Sequence, residues 1–293
     1  MIPVLVAYLR GLHDGWHQKR MLLLLYLANV ISAYLVTLPI SLILKNALHH
    51  TVAASQLMEA FDITLFHTIR NDFTAGINFG LFVITYAFMY SIMNTFFAGG
   101  ILKIISDGDG FNISRFFSGC IVYFTRFIRI FIIFLFFIIA ALFLTGSLAI
   151  IFISFSQNAP TEFWPVVLFI LCVIFFITLL ALINMLSDYT KIIAVVNDFY
   201  SMLDTTKNAI LFVMMSLRKT TSLYGMYFIT GLALFTIYWM IERFIPTSSL
   251  AGVLLFIIIS QLYILSRIWI RLCFFSGQYI FFRCSAQGAS GHE

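Results

Sequence analysis

The sequence predicts an all-α integral membrane protein, and three observations lead to that class. Only 10% of the 293 residues are charged and 62% are hydrophobic, whereas soluble domains average about 25% charged residues. The apolar residues form six runs that each reach the roughly 20 residues a helix needs to cross a bilayer. The alternating blocks of roughly 10 residues that are typical of membrane β-barrels are absent. We therefore predict a polytopic protein with six transmembrane helices.

The six spans are predicted at 21–44, 76–104, 127–155, 164–187, 222–244 and 249–272. All but three of the 17 Lys and Arg residues fall at the N-terminus, between spans two and three, between spans four and five, or towards the C-terminus. The exceptions are Lys45, Arg70 and Arg243. Because cytoplasmic loops are enriched in Lys and Arg, both termini are predicted to be cytoplasmic.

Amphipathic segments outside the spans predict helices that lie in the membrane interface. On the cytoplasmic side they cover about 3–18, 116–124 and 204–217, and one further helix is expected outside, within 45–75. The chain can thus be divided into three units of interfacial helix plus transmembrane hairpin, 1–105, 113–187 and 203–283. Internal duplication and chance similarity of membrane architecture both explain this pattern. The fourth span keeps its helical period to about Val196, a length of about 50 Å.

A group of charged residues at the inner ends of three spans is the first candidate site. This inner-face charge cluster comprises Asp188, Lys191, Arg126, Arg129, Arg267 and Arg271. Charged groups at membrane depth are costly, and they usually form pairs or face a cavity. The cluster is interpreted either as a gate or anionic-ligand site, or as cations that extend to the interface. We expect Asp188 to pair with Arg267 or Arg271 and so to join spans four and six.

Polar side chains inside the apolar runs form the second candidate. Tyr86, Tyr90 and Asn94 recur at four-residue steps, so they share one face of a helix. Together with Asn184 and Gln261 they make up the predicted intramembrane polar stripe. Such residues either line a path for a solute or form hydrogen bonds between helices.

Several classes of chemistry receive no support from the sequence. The four cysteines lack CxxC spacing, and no Walker A, GxSxG or HExxH motif is present. All six histidines lie outside the predicted spans, so haem ligation within the bilayer is not expected. We expect no metal, no cofactor and no enzymatic activity. The net charge of +5 follows from the orientation rule and requires no nucleic-acid partner.

One stretch of the second half resembles a known group of proteins. Asp188-Tyr189-Thr190-Lys191-Ile192, followed by Val195-Val196-Asn197-Asp198, resembles the DYAR/K-I…V-x-D/E pattern of uncharacterised bacterial six-helix inner-membrane proteins. Thr190 replaces the usual alanine. More distantly, the layout is similar to the membrane domains that accompany some bacterial glycerophosphodiester phosphodiesterases. The resemblance implies a bacterial inner-membrane protein and no particular activity.

Two functions are consistent with these observations. The first is a non-catalytic accessory or scaffold subunit of a membrane complex, which accounts for the short loops and the lack of catalytic motifs. The alternative is a transporter or permease for a small solute or lipid, which would use the polar stripe and the inner-face charge cluster. The expected partners are membrane lipids, together with other membrane-protein subunits or further copies of this chain.

Overall fold

The computed structural model describes residues 2–48, 79–108, 110–156, 163–197, 201–245 and 249–290. These ranges contain eight helices and no strand, which confirms the all-α prediction. The helices are α1 (Ile2–His17), α2 (Lys19–Leu48), α3 (Phe79–Asp107), α4 (Ile113–Ser156), α5 (Phe163–Val196), α6 (Met202–Met215), α7 (Leu217–Arg243) and α8 (Leu250–Ser290). The amphipathic helix predicted within 45–75 lies, from residue 49 onwards, outside the described residues.

Six of the described helices are long and apolar enough to cross a membrane, which confirms the number of predicted spans. Their candidate spans are Lys19–Leu38, Leu81–Asp107, Ile113–Ser154, Phe163–Val196, Leu217–Arg243 and Ala251–Ser285. Spans one, two and five differ from the predicted bounds by at most six residues at either end, whereas spans three, four and six are longer because their helices continue beyond the apolar run. The cytoplasmic placement of both termini stays a prediction.

Two predicted interfacial helices are separate elements and one is not. Helices α1 and α6 lie close to where the sequence placed them. The stretch 116–124 is instead the beginning of α4, a continuous helix of 44 residues and about 66 Å. At the beginning of this helix, the side chain of Asn112 accepts a hydrogen bond of 2.9 Å from the Ser114 backbone N–H. Helix α5 has 34 residues and ends at Val196 as predicted.

The described helices pack most closely at the end of the bundle that carries α1 and α6. Phe116, Phe127, Ile192 and Leu223 are completely buried there. Towards the opposite end the helix surfaces are apolar and exposed; Phe143, for example, is 76% exposed. Apolar surface of this extent is not maintained against water, so we expect these faces to contact lipid.

Each amphipathic segment packs on the second helix of a transmembrane hairpin: α1 on α8, the start of α4 on α3, and α6 on α5. Glycines allow the first two contacts to be close. A Cβ atom at Gly11 would lie 2.7 Å from the Cys273 carbonyl oxygen, and one at Gly100 would lie 2.7 Å from that of Phe116. The pattern is the same in all three units proposed from the sequence, while internal duplication stays a prediction.

Candidate functional site

Asp188 and Lys191 form a buried ion pair on α5. The Lys191 Nζ lies 3.9 Å from Asp188 Oδ1, and the two side chains are only 13% and 9% exposed, respectively. A spacing of three residues places both groups on one face of the helix. Arg271 of α8 acts electrostatically on both members of the pair. The ion-pair partner of Asp188 is therefore Lys191, rather than Arg267 or Arg271 as expected from the sequence, because Lys191 is already one turn away.

Arg271 connects the inner-face charge cluster to the polar stripe. Its Nη1 donates a hydrogen bond of 2.7 Å to Asn94 Oδ1 on α3. Asn94 lies within the candidate span Leu81–Asp107, and its amide nitrogen donates to the Tyr90 carbonyl oxygen at 3.0 Å. The two sets of residues that the sequence presented separately thus meet at one point in the structure.

Two further hydrogen bonds join helices around this point. The Asn184 amide on α5 donates to the Tyr224 hydroxyl on α7. The Tyr90 hydroxyl on α3 donates to Asn29 Oδ1 on α2 at 3.1 Å. Asn29 and Tyr224 were not among the predicted site residues. Asn29 could have been found, since it is a polar residue inside the first apolar run, whereas a tyrosine near the end of a span gives no distinct signal.

Three cavities adjoin one another at Arg271, which lines all of them. The first, of about 130 Å³, lies between α2, α3 and α8 and is lined by Asn29, Tyr90, Asn94, Arg267 and Arg271 among others. The second, of about 400 Å³, lies between α5, α7 and α8, and its polar residues are Asn184, Asp188, Tyr224, Tyr227, Arg267 and Arg271. The third, also of about 400 Å³, lies between α3, α4, α5 and α8, and Tyr90, Asn94, Asn184, Lys191 and Arg271 contribute to its wall.

Arg126 and Arg129 are not among the residues that line these cavities. Both lie on α4, where Arg129 is exposed and the Arg126 guanidinium lies 5.8 Å from the centre of the Tyr123 ring. The part of the inner-face charge cluster that the structure brings together is therefore Asp188, Lys191 and Arg271, with Arg267 beside them in two of the cavities.

The ends of the predicted polar stripe also lie apart from the cavities. The Tyr86 ring stacks on the Tyr90 ring with centroids 6.0 Å apart, one turn along α3. Gln261 Oε1 accepts a hydrogen bond of 2.7 Å from the Tyr26 hydroxyl, and both residues line a different groove between α2 and α8. Tyr90, Asn94 and Asn184 therefore line one cavity, whereas Gln261 lies outside it.

A buried glutamine, Gln278, adds a polar group next to the carboxylate. This α8 residue is completely buried, and its side-chain amide acts on the Asp188 carboxylate. Neither amide atom makes a hydrogen bond of ordinary geometry among the described residues, so the contact with Asp188 is the interaction that compensates its burial. The sequence gave no reason to single out this residue.

Cations outnumber carboxylates in this site. Arg267, Arg271 and Lys191 line the cavities together with one acidic side chain, Asp188. Arginine presents a planar set of donors that matches carboxylate and phosphate groups. Among the described residues, no three His, Cys, Asp or Glu side chains come together as metal ligands would. The arrangement is suited to holding an anion by charge and hydrogen bonds.

Comparisons of the chain with protein-family models, with curated proteins and with solved structures find no match. The resemblance drawn from Asp188-Tyr189-Thr190-Lys191-Ile192 accordingly stays an expectation.

Proposed function

We propose that this protein is a membrane transporter for an anionic solute, whose charge is held at Arg267 and Arg271. The observation that carries the proposal is the hydrogen bond from Arg271 on α8 to Asn94 on α3, which joins two candidate spans. This bond lies where three cavities adjoin. It combines a charged group and a polar stripe within candidate spans, which are features of solute pathways.

The charges of the site support an anionic ligand. A cation within a membrane span is costly unless it is paired or faces a cavity. Asp188 compensates one of the three cavity-lining cations, and its closest cation is Lys191 at 3.9 Å. An anion bound between Arg267 and Arg271 would supply the missing compensation, so its binding would be favoured by both charge and geometry.

The position of the site between two groups of helices also supports transport. Helices α3, α4, α5 and α6 pack mainly on one another, as do α1, α2, α7 and α8. The groups meet where α8 contacts α3 and α5, where α2 contacts α3, and where α6 contacts α7. Transporters expose a central site alternately to the two sides by moving one bundle against another. A site formed by side chains from both groups, as here, is suited to that motion.

Ligand-dependent stabilisation of the purified protein tests the binding step. Thermal unfolding would be followed in detergent with sodium phosphate, sodium sulfate or glycerol 3-phosphate, and with choline chloride as the control for ionic strength. A ligand at a hundred times its Kd adds about 2.7 kcal/mol to the stability. We expect at least one anion to raise the Tm by several degrees, and Arg271→Gln to remove that shift.

Arg129→Gln is the matched control, because Arg129 is an exposed arginine on a spanning helix that does not line the cavities. It should keep the shift of the unmodified protein. Transport is then tested by measuring the uptake of the radiolabelled stabilising anion into proteoliposomes. Equal shifts in the two variants would contradict binding at Arg271, and stabilisation without uptake would contradict the transporter proposal.

The accessory or scaffold role predicted from the sequence is the second candidate. The observation in its favour is an apolar edge at the end of α6, where Leu211, Met214 and Met215 are 58%, 69% and 90% exposed. A second subunit would cover such an edge. Purification in a mild detergent tests this role: a stoichiometric partner that is lost with Met215→Glu would favour a subunit, and its absence would favour the transporter.

A further inference from the structure

A long apolar groove opens on the surface of the bundle between α2 and α8, away from Arg271 and its cavities. It has a volume of about 1010 Å³, and Leu234 of α7 completes its wall. Its aliphatic residues are exposed although they lie within candidate spans: Leu23, Leu27, Ile258 and Leu262 are each between 50% and 59% exposed. A groove of this composition within a span contacts the hydrocarbon of the bilayer.

The dimensions of the groove match one leaflet. The residues that line it run from Ile257 to Trp269 along α8, which corresponds to about 18 Å of helix. Half of the hydrocarbon core of a bilayer is about 15 Å thick. The groove is thus long enough to accommodate an extended acyl chain from the interface to the middle of the membrane.

Two hydroxyl groups in the groove already donate hydrogen bonds. The Tyr26 hydroxyl donates to Gln261 Oε1 at 2.7 Å, across the gap between α2 and α8. The Ser266 hydroxyl donates to the Tyr263 carbonyl oxygen of its own helix. Neither hydroxyl therefore needs a polar ligand, and most of the remaining wall is aliphatic and suited to a hydrocarbon chain.

One end of the groove is basic and aromatic. The Lys19 ammonium lies 5.4 Å from the centre of the Trp16 ring, and the Trp16 and Trp269 rings meet edge to face at 6.1 Å. None of the residues that line the groove is acidic. Tryptophan and lysine mark the level of the lipid headgroups, so a phosphate at this end would meet a positive charge.

We propose that this groove is a binding site for one anionic phospholipid, with an acyl chain along α2 and α8 and its phosphate at Lys19. An anionic phospholipid fits the groove because its acyl chain matches the length and the apolar middle, and its phosphate matches the single cation at one end. The site shares no residue with the cavities around Arg271, so it does not depend on the proposed transport function.

Quenching of tryptophan fluorescence by brominated lipids tests the proposal. Trp164→Phe and Trp239→Phe would leave Trp16 and Trp269, both in the groove, as the fluorophores. The protein would be placed in phosphatidylcholine nanodiscs that contain increasing fractions of brominated phosphatidylglycerol or brominated phosphatidylcholine. One lysine near a lipid phosphate corresponds to a preference of about fivefold. We expect half-maximal quenching at about fivefold less brominated phosphatidylglycerol than brominated phosphatidylcholine.

Variants at two neighbouring cations separate a defined site from a general surface effect. Lys19→Gln should remove the preference, Lys19→Arg should keep it, and Arg20→Gln, which alters an exposed residue that does not line the groove, should leave it unchanged. Equal quenching by both lipids in the protein that carries only the two Trp→Phe substitutions would overturn the proposal. So would a preference that survives Lys19→Gln, or one that Arg20→Gln abolishes equally.

Discussion

Two ion pairs of the same geometry provide a direct test of how burial determines the role of Asp188. Asp188 and Lys191 on α5, like Asp204 and Lys207 on α6, are three residues apart, with an N–O distance of 3.9 Å. The side chains of the first pair are 13% or less exposed, whereas those of the second are 64% and 75% exposed. The pairs therefore differ chiefly in their environment.

The expected energies follow from that difference. At 3.9 Å and an effective dielectric constant of about 20, two unit charges attract by about 4 kcal/mol. Much of this offsets desolvation, but removing one partner of a buried pair leaves an uncompensated charge and costs about 3–5 kcal/mol. An exposed pair contributes only about 0.3–0.5 kcal/mol on a helix. We expect Asp188→Asn to be strongly destabilising and Asp204→Asn to be nearly neutral.

The two members of the buried pair are not equivalent. Asp188→Asn leaves Lys191 and Arg271 without an anion, whereas Lys191→Met leaves Asp188 with Arg271, which already acts on it. Asp188→Asn should therefore cost more than Lys191→Met. The double variant should be more stable than Asp188→Asn alone, because it removes the uncompensated lysine as well.

Thermal unfolding in detergent, followed by size-exclusion chromatography with fluorescence detection, would rank the variants, and unfolding in SDS would give their free energies. The buried pair should show a coupling energy of about 1–3 kcal/mol in a double-mutant cycle, and the exposed pair at most a few tenths. Additive effects in the buried pair would refute the reasoning. So would a Lys191→Met variant that is less stable than Asp188→Asn.

Two further predictions concern packing near the site. Gly100→Val should lower the free energy of unfolding by about 1–3 kcal/mol, because a Cβ atom there would lie 2.7 Å from the Phe116 carbonyl oxygen and disturb the contact between α3 and α4. Gly146→Ala is the control, because the space around a Cβ atom at this position is open. It should not destabilise the protein in the same unfolding assay. Tyr227→Phe should lower the free energy of unfolding by about 1 kcal/mol, because it removes the hydrogen bond of 2.9 Å from the Tyr227 hydroxyl to the Cys273 carbonyl oxygen. A Tm equal to that of the unmodified protein would show that this bond does not stabilise the fold.

The fold could be predicted to the level of its spans because the bilayer imposes a strong length requirement on each helix. The ends of the helices were harder to predict, as α4 illustrates. The residues 116–124 are amphipathic like an interfacial helix, yet Gly119 lies against α3, where a Cβ would approach Gly99 O at 3.2 Å. The stretch therefore continues the spanning helix. Hydropathy indicates only whether a segment lies in water, at the interface or in the membrane. Whether two consecutive segments form one continuous helix depends on the helix against which they pack.

The site was predicted as two separate sets because hydropathy places residues by depth but gives no direction around the helix axis. Arg271 and Asn94 are 177 positions apart in the chain, and only tertiary packing brings them together. The same limit explains why Arg126 and Arg129 were grouped with Asp188 although they do not line the cavities. Pairing within one helix was accessible from the spacing of Asp188 and Lys191, but the abundance of arginines directed the prediction across helices.

The orientation rule accounts for the side of the membrane on which Arg267 lies, but it does not account for its place in the walls of two cavities. Arg267 is two positions before Trp269 on α8, so it lies towards the headgroup end of the span. Arg271, one turn away, donates a hydrogen bond to Asn94 and lies near Asp188, whose ion-pair partner is Lys191. For Arg267, no hydrogen bond or ion pair is found within the described ranges, and the side chain remains exposed. An anionic solute, as proposed above, would supply the partner that the described side chains do not.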